Sequence, residues 1–179
     1  HLLVHSNKNA VEKLLHTCGM ASALPSKRER MSAIEIDAAL SQVNIAVPNQ
    51  KALSDNNIMR QLQVSPIWNG LAMDLFLGNI NQSLWGWADS QALPLLNYWR
   101  DMDESVYFAL VYEQPHSILI NNQRILDQDS IERKLQEWVD YNESLLQFYL
   151  NNQNRCLLVH SRQARLSSSS YVRQLHLHI

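Results

Sequence analysis

Val106-Tyr107-Phe108-Ala109-Leu110-Val111-Tyr112 is the clearest strand signal in the sequence, with Asp103 and Glu104 before it and Pro115 after it. Aliphatic and aromatic side chains fill the run, and no charged or amide residue alternates with them. Such a strand buries both of its faces and belongs in the middle of a sheet covered on either side.

Outward from this run, two further apolar stretches read as strands, Leu2 to His5 and Cys156 to His160. A short aromatic one, Leu84-Trp85-Gly86-Trp87, reads as a fourth. The segments between them carry apolar residues at helical spacing. Val11, Leu14, Leu15 and Cys18 form one such face, with Gly19 as its C-terminal stop. Lys27 to Val43 is a second, Ile67 to Leu77 a third ending at Gly78, and Gln91 to Met102 a fourth; a short helix over Ile58 to Leu62 is also expected. Asp127 to Leu150 is the longest, with Ser130 as its expected N-cap and Trp138, Tyr141, Leu145 and Phe148 along one face. Strands separated by helices predict an α/β fold: three layers, with a mostly parallel central sheet flanked by helices.

The chain has 179 residues, 46% hydrophobic and 18% charged, which fits one soluble globular domain over residues 1–179. Its apolar runs fall far short of a transmembrane segment. A net charge of −2, from 17 acidic and 15 basic residues, supplies no overall attraction for nucleic acid. Four glycines exclude a dinucleotide fingerprint and a Walker A loop, both of which need several close together. Two cysteines, Cys18 and Cys156, and seven histidines without paired spacing point to no metal site and to a reducing, cytoplasmic setting. Because the sequence begins at His1 and enters a strand at Leu2, the domain is expected to be cut from a longer polypeptide whose other domains are its neighbours.

Several residues have chemical potential at the expected C-terminal ends of strands, where parallel sheets bind ligands. Ser6-Asn7-Lys8-Asn9 lies at a strand-to-helix turn, where free backbone N–H groups and the positive helix end can hold an anion and Lys8 can add a cation. The alternative is a solvated Lys8 with Ser6 or Asn9 capping the helix. His5 and His160 each end a strand within a repeated Leu-Val-His-Ser sequence, as acid, base, metal ligand or ordinary hydrogen-bonded histidines. Asp89 is either a base or the first residue of an Asx turn. Of Trp85 and Trp87, one is expected in the core and the other is open to stacking on a sugar or base. Arg155, Arg162, Arg165 and Arg173 form a basic stretch without an acid, able to meet an anionic surface or simply be solvated.

The order of these blocks resembles the bacterial, P-loop-related sulfotransferases that use 3′-phosphoadenosine 5′-phosphosulfate (PAPS). The family's first loop and following Leu-Leu pair match Ser6-Asn7-Lys8-Asn9 and Leu14-Leu15; its Trp-Lys-Asp-Pro-Arg block matches Trp87-Ala88-Asp89-Ser90-Gln91. A Tyr-Arg-x-Pro strand end matches Tyr112-Glu113-Gln114-Pro115, with the family's downstream serine at Asn121. The Trp-x-x-Tyr-Asn helix matches Trp138-Val139-Asp140-Tyr141-Asn142. The resemblance implies a sulfotransferase-like topology and sulfuryl transfer to a hydroxyl, on a carbohydrate or surface polysaccharide. It makes Ser6, Asn7, Lys8, Asn9 and Asn121 the donor-binding positions and Lys8, Asp89, His5 and His160 the catalytic candidates. The departures all remove donors or cations: Asn7 replaces a loop glycine, Ala88 a lysine, and Gln91 and Glu113 arginines. PAPS binding is therefore expected to be weak or absent. The competing expectation is a noncatalytic ligand-recognition or packing domain of a larger glycan-assembly protein.

Overall fold

The computed structural model describes residues 2–5, 8–45, 64–115, 127–166 and 173, with side chains of residues 2–5, 8–10, 44–45 and 165–166 outside the description. The fold is mixed α/β. Its elements run β1 (Leu2–His5), α1 (Lys8–Thr17), β2 (Ala21–Ser22), α2 (Ala33–Ile45), α3 (Pro66–Asn79), β3 (Trp85–Ala88), α4 (Leu96–Met102), β4 (Tyr107–Tyr112), α5 (Gln128–Asn151), β5 (Cys156–His160) and α6 (Ser161–Leu166). The five strands make one sheet in the order β2-β3-β1-β4-β5, and every pairing is parallel. As expected, β1, β4 and β5 are neighbours: His5 pairs with Leu110, and Tyr112 with His160.

Alternation along the strands sorts the core into two clusters. Trp85, Trp87, Phe108, Leu110 and Cys156 pack with α2, α3, α4 and α5 through Ile36, Leu40, Leu75, Phe76, Trp99, Leu145 and Phe148. Ala88, Ala109, Val111 and Val159 point the other way, against Val11 and Leu15 of α1 and Ala164 of α6. This division follows from the handedness of crossovers. From β1 the chain moves to β2 at one edge, and from β2 it works back across β3 and β4 to β5. Right-handed connections made in opposite directions place their helices on opposite faces. The aromatic face is held by edge-to-face contacts, with Trp87 and Trp99 at 5.2 Å and Phe108 and Phe148 at 5.0 Å between ring centroids.

Local chemistry explains where the elements depart from the expected bounds. The helix expected from Lys27 starts only at Ala33, because residues 27–30 turn back on α3. Arg30 takes a left-handed φ of 58°, the Asp74 carboxylate accepts the backbone N–H of Arg28 at 2.7 Å, and Ser32 with Glu35 forms the helix's capping pair. Pro94 and the 3-10 turn Leu93–Leu95 delay α4. Asp127, not Ser130, caps α5: its carboxylate accepts the Ser130 N–H at 3.0 Å. The two-residue strand β2 carried no pattern to read. Gly19, with φ of 97°, ends α1 as expected. The helix expected over Ile58 to Leu62 lies outside the described residues.

Candidate functional site at the C-terminal edge of the sheet

The strand order fixes where a ligand edge lies. The connection after β1 leaves on one face of the sheet, while those after its neighbours β3 and β4 leave on the other. The C-terminal end of β1 is therefore where the connections change face, the position at which open parallel sheets hold ligands. Around it stand His5, the first residues of α1, Asp89 after β3, and Glu113 after β4.

At β1, the backbone passes from His5 to Lys8 and Asn9 in the first turn of α1. Ser6 and Asn7, the turn itself, and Asn121 lie outside the described residues. His160 closes β5, separated from β1 by β4, so the two strand backbones are about 10 Å apart. Its ring is buried, stands edge-on to Tyr112 at 5.0 Å, and accepts the Gln163 N–H at Nδ1 at 3.3 Å. These contacts make His160 part of the β4–β5 packing.

Asp89 forms the Asx turn: its Oδ1 accepts the Gln91 N–H at 2.9 Å, and only 5% of the residue is exposed. It lies close enough to act on the carboxyl of Asp37, from α2, a residue the sequence reading did not single out. Asp37 is 1% exposed and accepts the indole N–H groups of Trp87 and Trp99, each at 2.8 Å. Burial pushes its carboxyl up from the usual 3.8 to about 7; the two indole donors pull it down, and Asp89 pushes it further up. Burial, and then the Asp37 charge, also raise the Tyr98 hydroxyl well above its ordinary range. An acid in the apolar half of a helix was the available sequence signal, since Asp37 sits one residue after Ile36 and three before Leu40, both fully buried.

Both tryptophans of the aromatic strand are core residues, Trp85 at 0% and Trp87 at 5% exposure, so neither is available to stack on a sugar. They lie two apart on one strand and so share a face. Ala88 faces α1 and is equally buried. Arg155 leaves the basic stretch: its guanidinium donates to the carbonyls of Val106 (2.9 Å), Arg100 (3.2 Å) and Asp103 (2.7 Å), at the opposite end of the sheet. Arg162 is exposed. Cys18 and Cys156 are free, and burial pushes the Cys156 thiol up to about 12, which leaves it unreactive. A separate open cleft of about 410 Å³ runs along the start of α3, lined by Arg28, Met31, Trp68, Leu71 and Asp74.

Among the described residues, no group of three or more His, Cys, Asp or Glu side chains is arranged to hold a metal ion, and no helix is long and apolar enough to cross a membrane. No family model and no curated protein matches the sequence.

Proposed function

We propose that this chain is a diverged sulfotransferase-like domain, with a three-layer, P-loop-related architecture, that serves carbohydrate or surface-polysaccharide modification without productive use of PAPS. The observation that supports this reading is the convergence at one sheet edge of the blocks on which the resemblance rests. The start of α1, Asp89 and Glu113 follow three adjacent strands, β1, β3 and β4.

Sulfuryl transfer requires the acceptor oxygen to attack sulfur while the bond from sulfur to the donor's phosphate oxygen breaks. A base takes the acceptor's proton, and cations neutralise the leaving phosphate. The described part of the edge is acidic instead. Asp89 is buried and accepts the Gln91 N–H, and so is poorly placed to receive an acceptor's proton. Lys8 is the single cation retained from the matching positions. Loss of charge-assisted bonds at about 1.5 to 3 kcal/mol each lowers donor affinity by orders of magnitude.

Calorimetry with PAPS and adenosine 3′,5′-bisphosphate, with ATP and GTP as controls, tests the proposal. No saturable heat at micromolar ligand is expected. Saturable micromolar PAPS binding, abolished by Lys8→Ala, would show a working donor site. The burial of Asp89 favours one second reading, a noncatalytic recognition or packing domain of a larger glycan-assembly protein; saturable binding of an acceptor glycan with no donor binding would support it.

A further inference from the structure

Residues 24–28 run beside α3 in the opposite direction. Asn79 holds Leu24, and Asp74 accepts the Lys27 N–H at its backbone carbonyl and the Arg28 N–H at its side chain. Beyond Arg28 the chain closes on itself, with the Ser26 N–H donating to the Met31 carbonyl at 2.8 Å and the Ser26 hydroxyl accepting the Met31 N–H at 3.0 Å. Between this closed turn and the start of α3 lies the cleft of about 410 Å³. Its size is that of a small-molecule site, roughly 300 to 1,000 Å³. Ile67, Gly70, Leu71 and Asp74 recur every three or four residues and so face it from one side of α3. Three groups here lack a partner that the fold would be expected to give them. The Asp74 side chain is only 8% exposed, yet its Oδ1 has just the Arg28 Nε, at 3.8 Å, which is beyond hydrogen-bond distance. A buried acceptor left without a donor is costly. The indoles of Trp87, Trp99 and Trp138 donate to protein acceptors, whereas that of Trp68 has neither a hydrogen bond nor a ring partner among the described residues. Gly70 is a poor helix former inside a helix, and a Cβ there meets nothing within 4 Å, so no neighbour requires the glycine; the room it leaves belongs to the cleft.

We propose that this cleft binds a small organic cation, an ammonium ion carried on a flat apolar body. The ammonium supplies the donor that Asp74 Oδ1 lacks. The body packs against Trp68, Met31 and Leu71, and the indole face adds a cation–π attraction. Charge complementarity selects this ligand. The charged side chains of the lining are Arg28, Glu29 and Asp74, an excess of one negative charge, while Lys27 and Arg30 lie outside it. The Arg28 side chain is 83% exposed, so its guanidinium stands largely in solvent and leaves Oδ1 open to a competing donor. An organic acid would instead bring its carboxylate to Asp74 and Glu29. None of these residues belongs to the sheet edge around His5, Asp89 and Glu113, so the site is independent of any chemistry there.

Phenethylammonium is the probe, with phenylacetate and phenethyl alcohol carrying the same ring with a negative charge or none. Each is titrated into the intact chain while the Trp68 indole N–H and the backbone N–H signals of α3 and of the turn at Arg28 are followed by NMR. Phenethylammonium is expected to shift these signals saturably at or below about 10 mM, and the other two to bind at least about tenfold more weakly. Asp74→Asn keeps an oxygen for the Arg28 N–H and removes the charge, and should weaken the cation about tenfold or more. Gly70→Leu fills the cleft from a position with open space around it and should abolish the shifts while the chain stays folded. A Trp68 signal unmoved by phenethylammonium overturns the proposal. So does phenylacetate or phenethyl alcohol binding as tightly as the cation, or an affinity that Gly70→Leu leaves unchanged. If Asp74→Asn does not fold, the three probes on the unaltered chain and on Gly70→Leu decide.

Discussion

The indole N–H of Trp138 donates to the backbone carbonyl of Glu113 at 3.0 Å. The bond joins the middle of α5 to the residue just beyond β4, and so fixes the strand end next to that of β1. Asn142, one turn further along α5, donates its amide to the Trp138 carbonyl at 2.7 Å and steadies the same turn.

Trp138→Phe retains most of the ring and removes this donor. We expect a loss of about 1 kcal/mol in urea denaturation, the usual net worth of one hydrogen bond, with the urea dependence unchanged. Stability equal to that of the unaltered chain would mean that packing alone holds the β4 end.

Much of this architecture was legible because it rests on patterns of apolar residues. Val106 to Tyr112 announced a central strand, and the intervening helical periods required parallel connections. The face carrying each helix then followed from strand order. The influence of Asp89 on Asp37 was not legible, since the two are 52 positions apart and come near each other only when α2 folds over β3. Arg155 misled for the same reason. In sequence it belongs to a basic stretch, whereas in space its guanidinium is spent on three carbonyls. Trp85 and Trp87 are distinguished from surface aromatics by what lies against them in space, Phe76 and Trp99 and, for Trp87, the Asp37 carboxyl.

Arg155→Lys is expected to destabilise the fold by about 1 to 2 kcal/mol although the charge is kept. A planar guanidinium reaches the carbonyls of Arg100, Asp103 and Val106 together, and one ammonium does not reproduce that fork. Denaturant unfolding of the lysine and alanine variants measures the loss. A neutral lysine variant would assign the residue's contribution to charge and not to geometry.

Gly70 and Gly78 lie on the same helix, α3, and should respond to alanine with opposite signs. A Cβ at Gly70 meets nothing within 4 Å, so Gly70→Ala gains helix propensity, about 0.5 to 1 kcal/mol. At Gly78 the added Cβ would stand 2.7 Å from the carbonyl oxygen of Pro25, a backbone atom held in place by the Asn79 side chain through both the N–H and the C=O of Leu24. Relief there requires α3 and residues 24–27 to separate, which outweighs the propensity gain. Thermal unfolding should place Gly70→Ala above and Gly78→Ala below the unaltered chain. Equal shifts would show that the 24–27 segment moves freely away from α3.

The cost of Asp37→Ala should depend on pH, and the sign follows from linkage. Between the carboxyl's usual 3.8 and about 7 the folded state binds a proton that the unfolded state has released. Stability contributed by the protonated Asp37 is therefore fully present below about pH 4 and is lost as pH rises through 7. At pH 5 the alanine variant leaves the indole N–H groups of Trp87 and Trp99 without their acceptor, in surroundings where each was buried. An unsatisfied buried donor costs about 1 to 3 kcal/mol, so the variant is clearly the weaker at that pH. At pH 8 the unaltered chain carries the cost of a buried Asp37 carboxylate, while the variant has lost that source of pH dependence. One pKa unit corresponds to about 1.4 kcal/mol, so the penalty of Asp37→Ala should shrink by at least about 1 kcal/mol between pH 5 and 8. Urea titrations of both chains at the two pH values measure it. A penalty that stays constant would mean that Asp37 is ionised throughout, held by its indole donors alone.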